Sequence, residues 1–134
     1  MLTPDFQKRI ADFLEKCRDN GEKPLLVLLG PTASGKTALS LKIAHEFNCE
    51  IISADSRQVY KYMDIGTDKI PAEKRERIPH YLIDVADPSE RFTVADFKRL
   101  AEEKIEDILS RGKIPFVVGG TGLYIDVLTK NFSL

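Results

Sequence analysis

The stretch Gly30-Pro31-Thr32-Ala33-Ser34-Gly35-Lys36-Thr37 fits the phosphate-binding loop pattern G-x-x-x-x-G-K-[ST], which occurs between a strand and a helix. Just before it, residues 25–29 form an apolar run that is long enough for a buried strand. Just after it, apolar residues recur at helical spacing between Ala38 and Phe47. The pattern therefore predicts a strand, a loop and a helix in that order, which is the context that the motif requires.

The expected chemistry of this loop follows from its geometry. Glycines let backbone N–H groups curve around an anion, and the N-terminus of the following helix adds partial positive charge. Lys36 is then expected to reach a terminal phosphate, and the hydroxyl of Thr37 to bind Mg²⁺. The alternative, a glycine-rich turn without a ligand, is disfavoured by the strand and helix that flank the motif. The motif does not say which phosphate compound is bound.

Composition narrows the classes of protein to consider. The chain has 134 residues, of which 43% are hydrophobic and 31% charged, enough for one compact domain. Its net charge of -1 gives no overall basic signature, so a nucleic-acid partner would need a local patch or a further segment. Cys17 and Cys49 lack metal-ligand spacing and indicate reduced thiols of a cytoplasmic protein. Because no apolar run approaches about 18 residues, we expect no membrane partner.

Apolar runs and helical periodicity alternate along the chain. Strands are predicted at residues 25–29, 50–54, 81–85 and 114–118. Besides the helix after the loop, helices are predicted at residues 5–18, from Thr93 to Gly112, and at 123–128. In the helix that starts at Thr93, Thr93 and Asp96 fit a capping box, Phe97 lies on the apolar stripe, and Gly112 ends the helix. This alternation predicts an α/β fold, a P-loop NTPase-like parallel sheet flanked by helices. We divide it into an N-terminal amphipathic helical extension, residues 1–22, and a core, residues 23–134.

Ligands of parallel α/β sheets gather at the carboxyl ends of the strands. Four features of the sequence are predicted to lie there: the phosphate-binding loop, residues 55–60, Asp84 and the glycine turn at residues 119–122. Asp84 ends an apolar run and so imitates a Walker B aspartate, which binds metal; alternatively, it caps a turn. The convergence of the four features is more informative than any one motif.

Further motifs follow the phosphate-binding loop. They are DSRQVY at residues 55–60, MDIGT at 63–67, PHYLID at 79–84, DPS and ADF within 87–97, and GGTGLY at 119–124. Together with GPTASGKT at 30–37, this set resembles the tRNA dimethylallyltransferase family, also called tRNA isopentenyltransferases. The similarity covers roughly residues 24–130. The loop alone is shared with many nucleotide enzymes, whereas this ordered combination is specific.

The resemblance implies a cytoplasmic enzyme with Mg²⁺ as cofactor. Such an enzyme moves a dimethylallyl group from dimethylallyl diphosphate to N6 of the adenosine adjacent to the tRNA anticodon, and diphosphate is released. Three alternatives stay open: an adenylate isopentenyltransferase acting on free nucleotides, a small-molecule P-loop kinase, and a non-catalytic phosphate-binding fragment. Family members are much longer and contain an inserted helical domain that grips the tRNA. We therefore expect this chain to be the front part of such an enzyme, with a truncated sheet.

The resemblance also assigns roles to individual residues. The diphosphate is held by Gly30, Pro31, Thr32, Ala33, Ser34, Gly35, Lys36 and Thr37, with Thr37 on the metal. Asp55 is the general base on the adenine N6, and Lys36 and Thr121 are the other catalytic residues. Contacts with tRNA come from Asp55, Ser56, Arg57, Gln58 and Thr121. The structural alternatives are that Asp55 binds metal-bound water or caps a helix, that Thr121 caps the following helix, and that Arg57 is an ordinary surface residue.

Overall fold

The computed structural model describes residues 3–30, 36–55, 78–83, 85–87, 89, 91–120 and 122–129. Its strands are β1 (Leu26–Leu29), β2 (Cys49–Ser53), β3 (His80–Tyr81) and β4 (Ile114–Gly119), and its helices are α1 (Pro4–Asp19), α2 (Lys36–Phe47), α3 (Val94–Ser110) and α4 (Gly122–Thr129). The strands form one parallel sheet in the order β1-β4-β2-β3. This confirms the predicted parallel sheet flanked by helices. Within the described ranges, no helix has the length and apolarity needed to cross a membrane.

The helices begin and end where the sequence predicts. The Oγ1 of Thr3 accepts a hydrogen bond from the backbone N–H of Phe6 at 3.2 Å, which caps the start of α1. At the start of α3, Thr93 and Asp96 form a reciprocal capping box. α3 ends before Gly112, whose φ of 75° is a left-handed conformation that glycine adopts without strain.

The third strand is shorter than predicted. The sequence predicts an extended segment at residues 81–85, but β3 contains only His80 and Tyr81. Leu82 has a φ of 65°, which turns the chain out of the extended region immediately after the strand. An apolar run alone does not reveal such a turn. The other three strands agree with their predicted ranges to within one residue at each end.

Both faces of the sheet are covered by apolar side chains, because successive residues of a strand point to opposite faces. On one face Ile51 and Phe116 lie in a core with Ile10 of α1 and with Ile43 and Ala44 of α2. The other face carries a second core, in which α3 and α4 pack on the sheet through Ile52, Ala54, Phe97, Ala101, Ile105, Ile108, Val117, Tyr124, Ile125 and Leu128. Burial on both faces explains why all five residues of β2 are buried rather than every second one.

Pro115 lies in β4, an inner strand of the described sheet, although proline cannot donate to a ladder. The N–H of Ile114 donates to the carbonyl of Asn48 at 3.2 Å, on the β2 side. The next residue therefore faces β1, and β1 begins to pair with β4 only opposite Phe116. Pro115 thus occupies a position where no ladder hydrogen bond is lost.

A buried charge ties the amino edge of the sheet to the end of α3. The side chain of Glu50 is 2% exposed and accepts hydrogen bonds from both terminal nitrogens of Arg111, at 2.5 and 2.8 Å. The hydroxyl of Tyr81 donates to the same carboxylate at 2.7 Å. The hydrogen bonds from Arg111 are the largest cause of a pKa of Glu50 below its ordinary value, although burial opposes them. The carboxylate is therefore charged in the folded protein at neutral pH.

Glu50→Gln is expected to remove part of the pH dependence of stability. Because the pKa of Glu50 is lower in the folded than in the unfolded chain, its stabilisation is fully present above the ordinary value of 4.5 and is lost as the pH falls through the folded-state value. We expect the variant to be less stable by about 1–3 kcal/mol near pH 7. The difference should shrink in acid, as measured by urea unfolding followed by circular dichroism.

Asp107→Asn is the matched control for this prediction. Asp107 accepts a hydrogen bond from the same Arg111 at 3.0 Å, but its side chain is 50% exposed. Water screens exposed ion pairs, so a change of at most about 1 kcal/mol is expected. Equal losses in the two variants at every pH would contradict a special role for the buried carboxylate.

Candidate active site

The carboxyl ends of three strands meet around β4. The backbone N–H of Gly30, which follows β1, donates to the carbonyl of Gly119 at 3.1 Å. On the opposite side of β4, the N–H of Ala54, which follows β2, donates to the carbonyl of Val118 at 2.8 Å. The first residue of the phosphate-binding motif and Asp55, the residue after Ala54, are thus placed on opposite sides of β4 at one edge. This is the edge at which ligands of parallel sheets bind.

Asp55 is buried at this edge, with 7% of its surface exposed. Neighbouring strands lie about 4.8 Å apart, so the backbone of Asp55 is about 10 Å from that of Gly30, two strand spacings away. A phosphate compound on the β1 side and an acceptor group on the β2 side fit within this spacing. The arrangement can therefore bind an anion on the β1 side and present a proton acceptor to a second substrate on the β2 side.

The described residues include some of the predicted site and exclude the rest. Lys36 and Thr37 are the first two residues of α2, the position that the motif requires. Residues 31–35 and 56–58 lie outside the described residues, as do Asp84 and Thr121. The roles assigned to these residues, and the metal role of Thr37, stay predictions.

Two aromatic residues of the quoted motifs pack against each other. Phe97, from ADF, and Tyr124, from GGTGLY, stack with ring centroids 4.2 Å apart and an interplanar angle of 16°. Phe97 is fully buried, and the pair connects α3 to α4. Sequence reasoning placed Phe97 on an apolar stripe but missed its partner, because periodicity does not say which helices are neighbours. The stack holds the start of α4 against α3.

Two aspartates of the same motifs stabilise local turns. The Oδ1 of Asp87 accepts hydrogen bonds from the backbone N–H and the hydroxyl of Ser89, at 2.9 and 2.7 Å. Asp96 accepts the backbone N–H of Thr93 at 2.9 Å, and this hydrogen bond is the main reason why its pKa is lowered. Both carboxylates therefore have structural roles in the part of the chain that the structure describes.

The oxygen donors expected at this edge suit Mg²⁺ bound together with a phosphate compound. Mg²⁺ in such sites is held by one or two protein oxygens, substrate phosphates and water rather than by a cage of protein ligands. The Thr37 hydroxyl is a donor of this chemical type. Across the described ranges there is no group of three or more His, Cys, Asp or Glu side chains that could hold a metal by itself.

Comparison with known protein families identifies the chain. Residues 58–134, more than half of the chain, match the family model described as IPP transferase. The chain belongs to this family. It is 58% identical over 102 residues to a tRNA dimethylallyltransferase of Thermoanaerobacter sp. (strain X514), covering 76% of this chain and 32% of that relative. It is 54% identical over 116 residues to a tRNA dimethylallyltransferase of Staphylococcus aureus, covering 86% of this chain and 37% of that relative.

Solved structures of family members have the same fold. The tRNA isopentenylpyrophosphate transferases of Staphylococcus epidermidis and Bacillus halodurans match with TM-scores of 0.78 and 0.79 at 53% and 52% identity. Each match covers 84% of this chain and 37% of the other. A eukaryotic dimethylallyltransferase acting on tRNA matches with a TM-score of 0.77 at 42% identity, over 84% of this chain and 28% of the other. The chain thus spans about a third of the length of its curated relatives.

Tyr124→Leu is expected to lower the free energy of unfolding by about 1–2 kcal/mol, because it removes the ring that stacks on Phe97. Binding of inorganic diphosphate with Mg²⁺, measured by calorimetry, should be unchanged. Tyr124→Phe keeps the ring and serves as the control. A Tyr124→Leu variant that stays as stable as the parent but loses diphosphate binding would show that Tyr124 contacts the ligand instead.

Proposed function

We propose that this chain carries the diphosphate-binding and proton-accepting part of a tRNA dimethylallyltransferase. The observation that carries this proposal is the placement of Gly30 and Asp55 on opposite sides of β4 at the carboxyl edge. Relatives named tRNA dimethylallyltransferase at 54–58% identity support it. Because the chain spans 32–37% of those relatives, the complete reaction is proposed for a protein of their length.

The proposed reaction transfers a dimethylallyl group to N6 of the adenosine adjacent to the anticodon. A bond forms between N6 and the allylic carbon C1, and the bond from C1 to the diphosphate oxygen breaks. The diphosphate leaves with the electron pair, and the carboxylate of Asp55 accepts the proton from N6. A buried carboxylate beside the amine both orients it and takes up the proton, which is worth a rate factor of about 10²–10⁴.

The leaving diphosphate is stabilised from the other side of β4. Backbone N–H groups within residues 32–37 and the N-terminus of α2 supply partial positive charge, and Lys36 adds a full positive charge. Thr37 would hold Mg²⁺, which when bound would neutralise charge on the diphosphate oxygens. Thr121, just before α4, would lie near the reacting groups, and its hydroxyl would orient them.

The acceptor adenosine enters from the β2 side. Ser56, Arg57 and Gln58 continue the chain beyond Asp55, and we assign them to the tRNA. The base must be unstacked for its N6 to reach the carboxylate, as in other enzymes that modify bases. The net charge of -1 supplies little of the electrostatic affinity that RNA binding needs, so the main tRNA contacts are assigned to a part of the relatives that this chain does not span. Residues 1–22 are proposed as an extension of the core at 23–134, and a cytoplasmic location fits the tRNA substrate.

The 134-residue chain is expected to bind dimethylallyl diphosphate with Mg²⁺ more tightly than ATP. The motifs that follow the phosphate-binding loop favour the prenyl diphosphate, although the loop itself suits either ligand. Isothermal titration of both ligands measures the difference, with inorganic diphosphate as the reference. Tighter binding of ATP, together with phosphoryl transfer to a small acceptor, would support the kinase alternative and exclude the proposed transferase function.

Asp55→Asn is expected to reduce the catalytic rate by about 10²–10⁴-fold while diphosphate binding is kept, because the amide cannot accept the proton. The assay uses a chimera in which the matched part of this chain replaces its counterpart in the Staphylococcus aureus relative. Substrates are labelled dimethylallyl diphosphate and an anticodon stem-loop.

Lys36→Ala is the contrasting variant in the same chimera. It should weaken diphosphate binding as well as lower the rate, because the lysine contacts the leaving group in both the ground and the transition state. An Asp55→Asn variant with near-normal turnover would exclude Asp55 as the base. Normal turnover with a raised Mg²⁺ requirement would place Asp55 in the metal shell.

A further inference from the structure

We propose that Gly119 is a positioning residue for Asp55. The absence of a side chain at the end of β4 lets the peptide between Ala54 and Asp55 lie directly against this strand, and the closeness of that contact sets where the carboxylate stands. The inference rests on the proposed function, in which Asp55 accepts the proton.

The contact between Gly119 and Ala54 leaves no room for a side chain. A Cβ added at Gly119 would lie 2.1 Å from the carbonyl oxygen of Ala54, 2.4 Å from its carbonyl carbon and 2.8 Å from its Cα. Real Cβ atoms essentially never approach other heavy atoms within 3.0 Å. All three neighbours are backbone atoms, so no rotation of a side chain can relieve the clash. Even alanine at this position must displace one of the two strand ends.

The atoms that would be displaced belong to the link to Asp55. The carbonyl carbon and oxygen of Ala54 are part of the planar peptide whose nitrogen is that of Asp55. Ala54 is fully buried and its N–H donates to the carbonyl of Val118 at 2.8 Å, so the residue that precedes this peptide bond is held against β4. An ordinary contact of 3.4 Å requires the added Cβ and this oxygen to separate by a further 1.3 Å. Whichever strand end yields, the Asp55 backbone moves relative to β4.

Gly119 also contacts the other half of the site. Its carbonyl accepts the N–H of Gly30, the first residue of the phosphate-binding motif, at 3.1 Å. Gly119 therefore lies between the predicted diphosphate-binding loop and the proton acceptor, and it determines their spacing. Misplacing a reacting group by about 1 Å can cost about 10²-fold in rate. Gly119 acts through Asp55 and contacts no reacting atom in this proposal.

Gly119→Ala in the chimera described above tests the proposal. We expect kcat to fall by about 10–100-fold, while the KM for dimethylallyl diphosphate changes by less than about threefold. The matched control is Gly112→Ala. Gly112 has no atom within 4 Å of an added Cβ, but its φ of 75° makes alanine strained there, at the end of α3. This control should lower Tm and leave kcat unchanged. An unchanged kcat in Gly119→Ala would overturn the proposal.

A double-mutant cycle separates positioning from a general structural defect. If Gly119 acts through Asp55, then Gly119→Ala should cause no further loss of kcat in an Asp55→Asn background. A further tenfold loss would overturn the proposal. Normal turnover of Asp55→Asn alone would overturn the proposed function itself. A slow Asp55→Asn combined with a normal Gly119→Ala would overturn only the positioning role.

Ala54→Gly decides the question if Gly119→Ala does not fold. This change keeps the carbonyl but loosens the peptide that holds Asp55, without creating a clash. It should lower kcat by about tenfold, with circular dichroism like that of the parent, and again without further effect when Asp55 is already asparagine. In the 134-residue chain labelled with ¹³C-aspartate, the Asp55 carboxyl signal should shift in this variant and stay in place in Gly112→Ala. Full activity together with an unmoved signal would overturn the proposal.

Discussion

The two hydrogen bonds at the carboxyl end of β4 are the constraint on which the site depends. Successive residues of a strand direct their carbonyls to alternate neighbours, so Val118 serves β2 and Gly119 serves β1. One inner strand thereby positions both the start of the phosphate-binding motif and the residue that precedes Asp55. Every proposed chemical role is assigned relative to these two hydrogen bonds. The phosphate-binding motif and the Asp55 carboxylate lie far apart in sequence, and only β4, which lies between them, brings them to the same end of the sheet.

The amino and carboxyl edges of the sheet, where the strands begin and end, have different roles. At the amino edge, a buried carboxylate is satisfied by Arg111 and Tyr81, which connects β2 to β3 and to the end of α3. Removing one partner of such a group leaves a buried charge, so this edge is sensitive to mutation through stability. The carboxyl edge instead carries Asp55 beside a close backbone contact, and mutations there are expected to act on rate. Parallel sheets permit this division because equivalent strand ends lie on the same side.

Much of the fold and part of the site could be read from the sequence. Three of the four apolar runs, the capping pair Thr93 and Asp96, and the glycine after α3 are local signals that the structure confirms. The gathering of Asp55 and Gly30 at one edge followed from the rule for parallel sheets. The length of β3 could not be predicted, because the left-handed turn at Leu82 leaves no mark in an apolar run. Nor could the stacking of Phe97 on Tyr124, which depends on helices that are neighbours only in space.

The class of fold, the order of the elements, the phosphate-binding motif and the family are all visible in the sequence, because they depend on residue type and spacing along the chain. The neighbours of each strand, the burial of Glu50 with its partners and the contact between Gly119 and Ala54 emerge from the folded chain alone. The reason is physical: hydrogen-bond registers between strands and distances between backbones arise when segments distant in sequence pack together. A glycine in a motif indicates that a side chain is absent, and the fold shows which neighbouring atoms would clash with one.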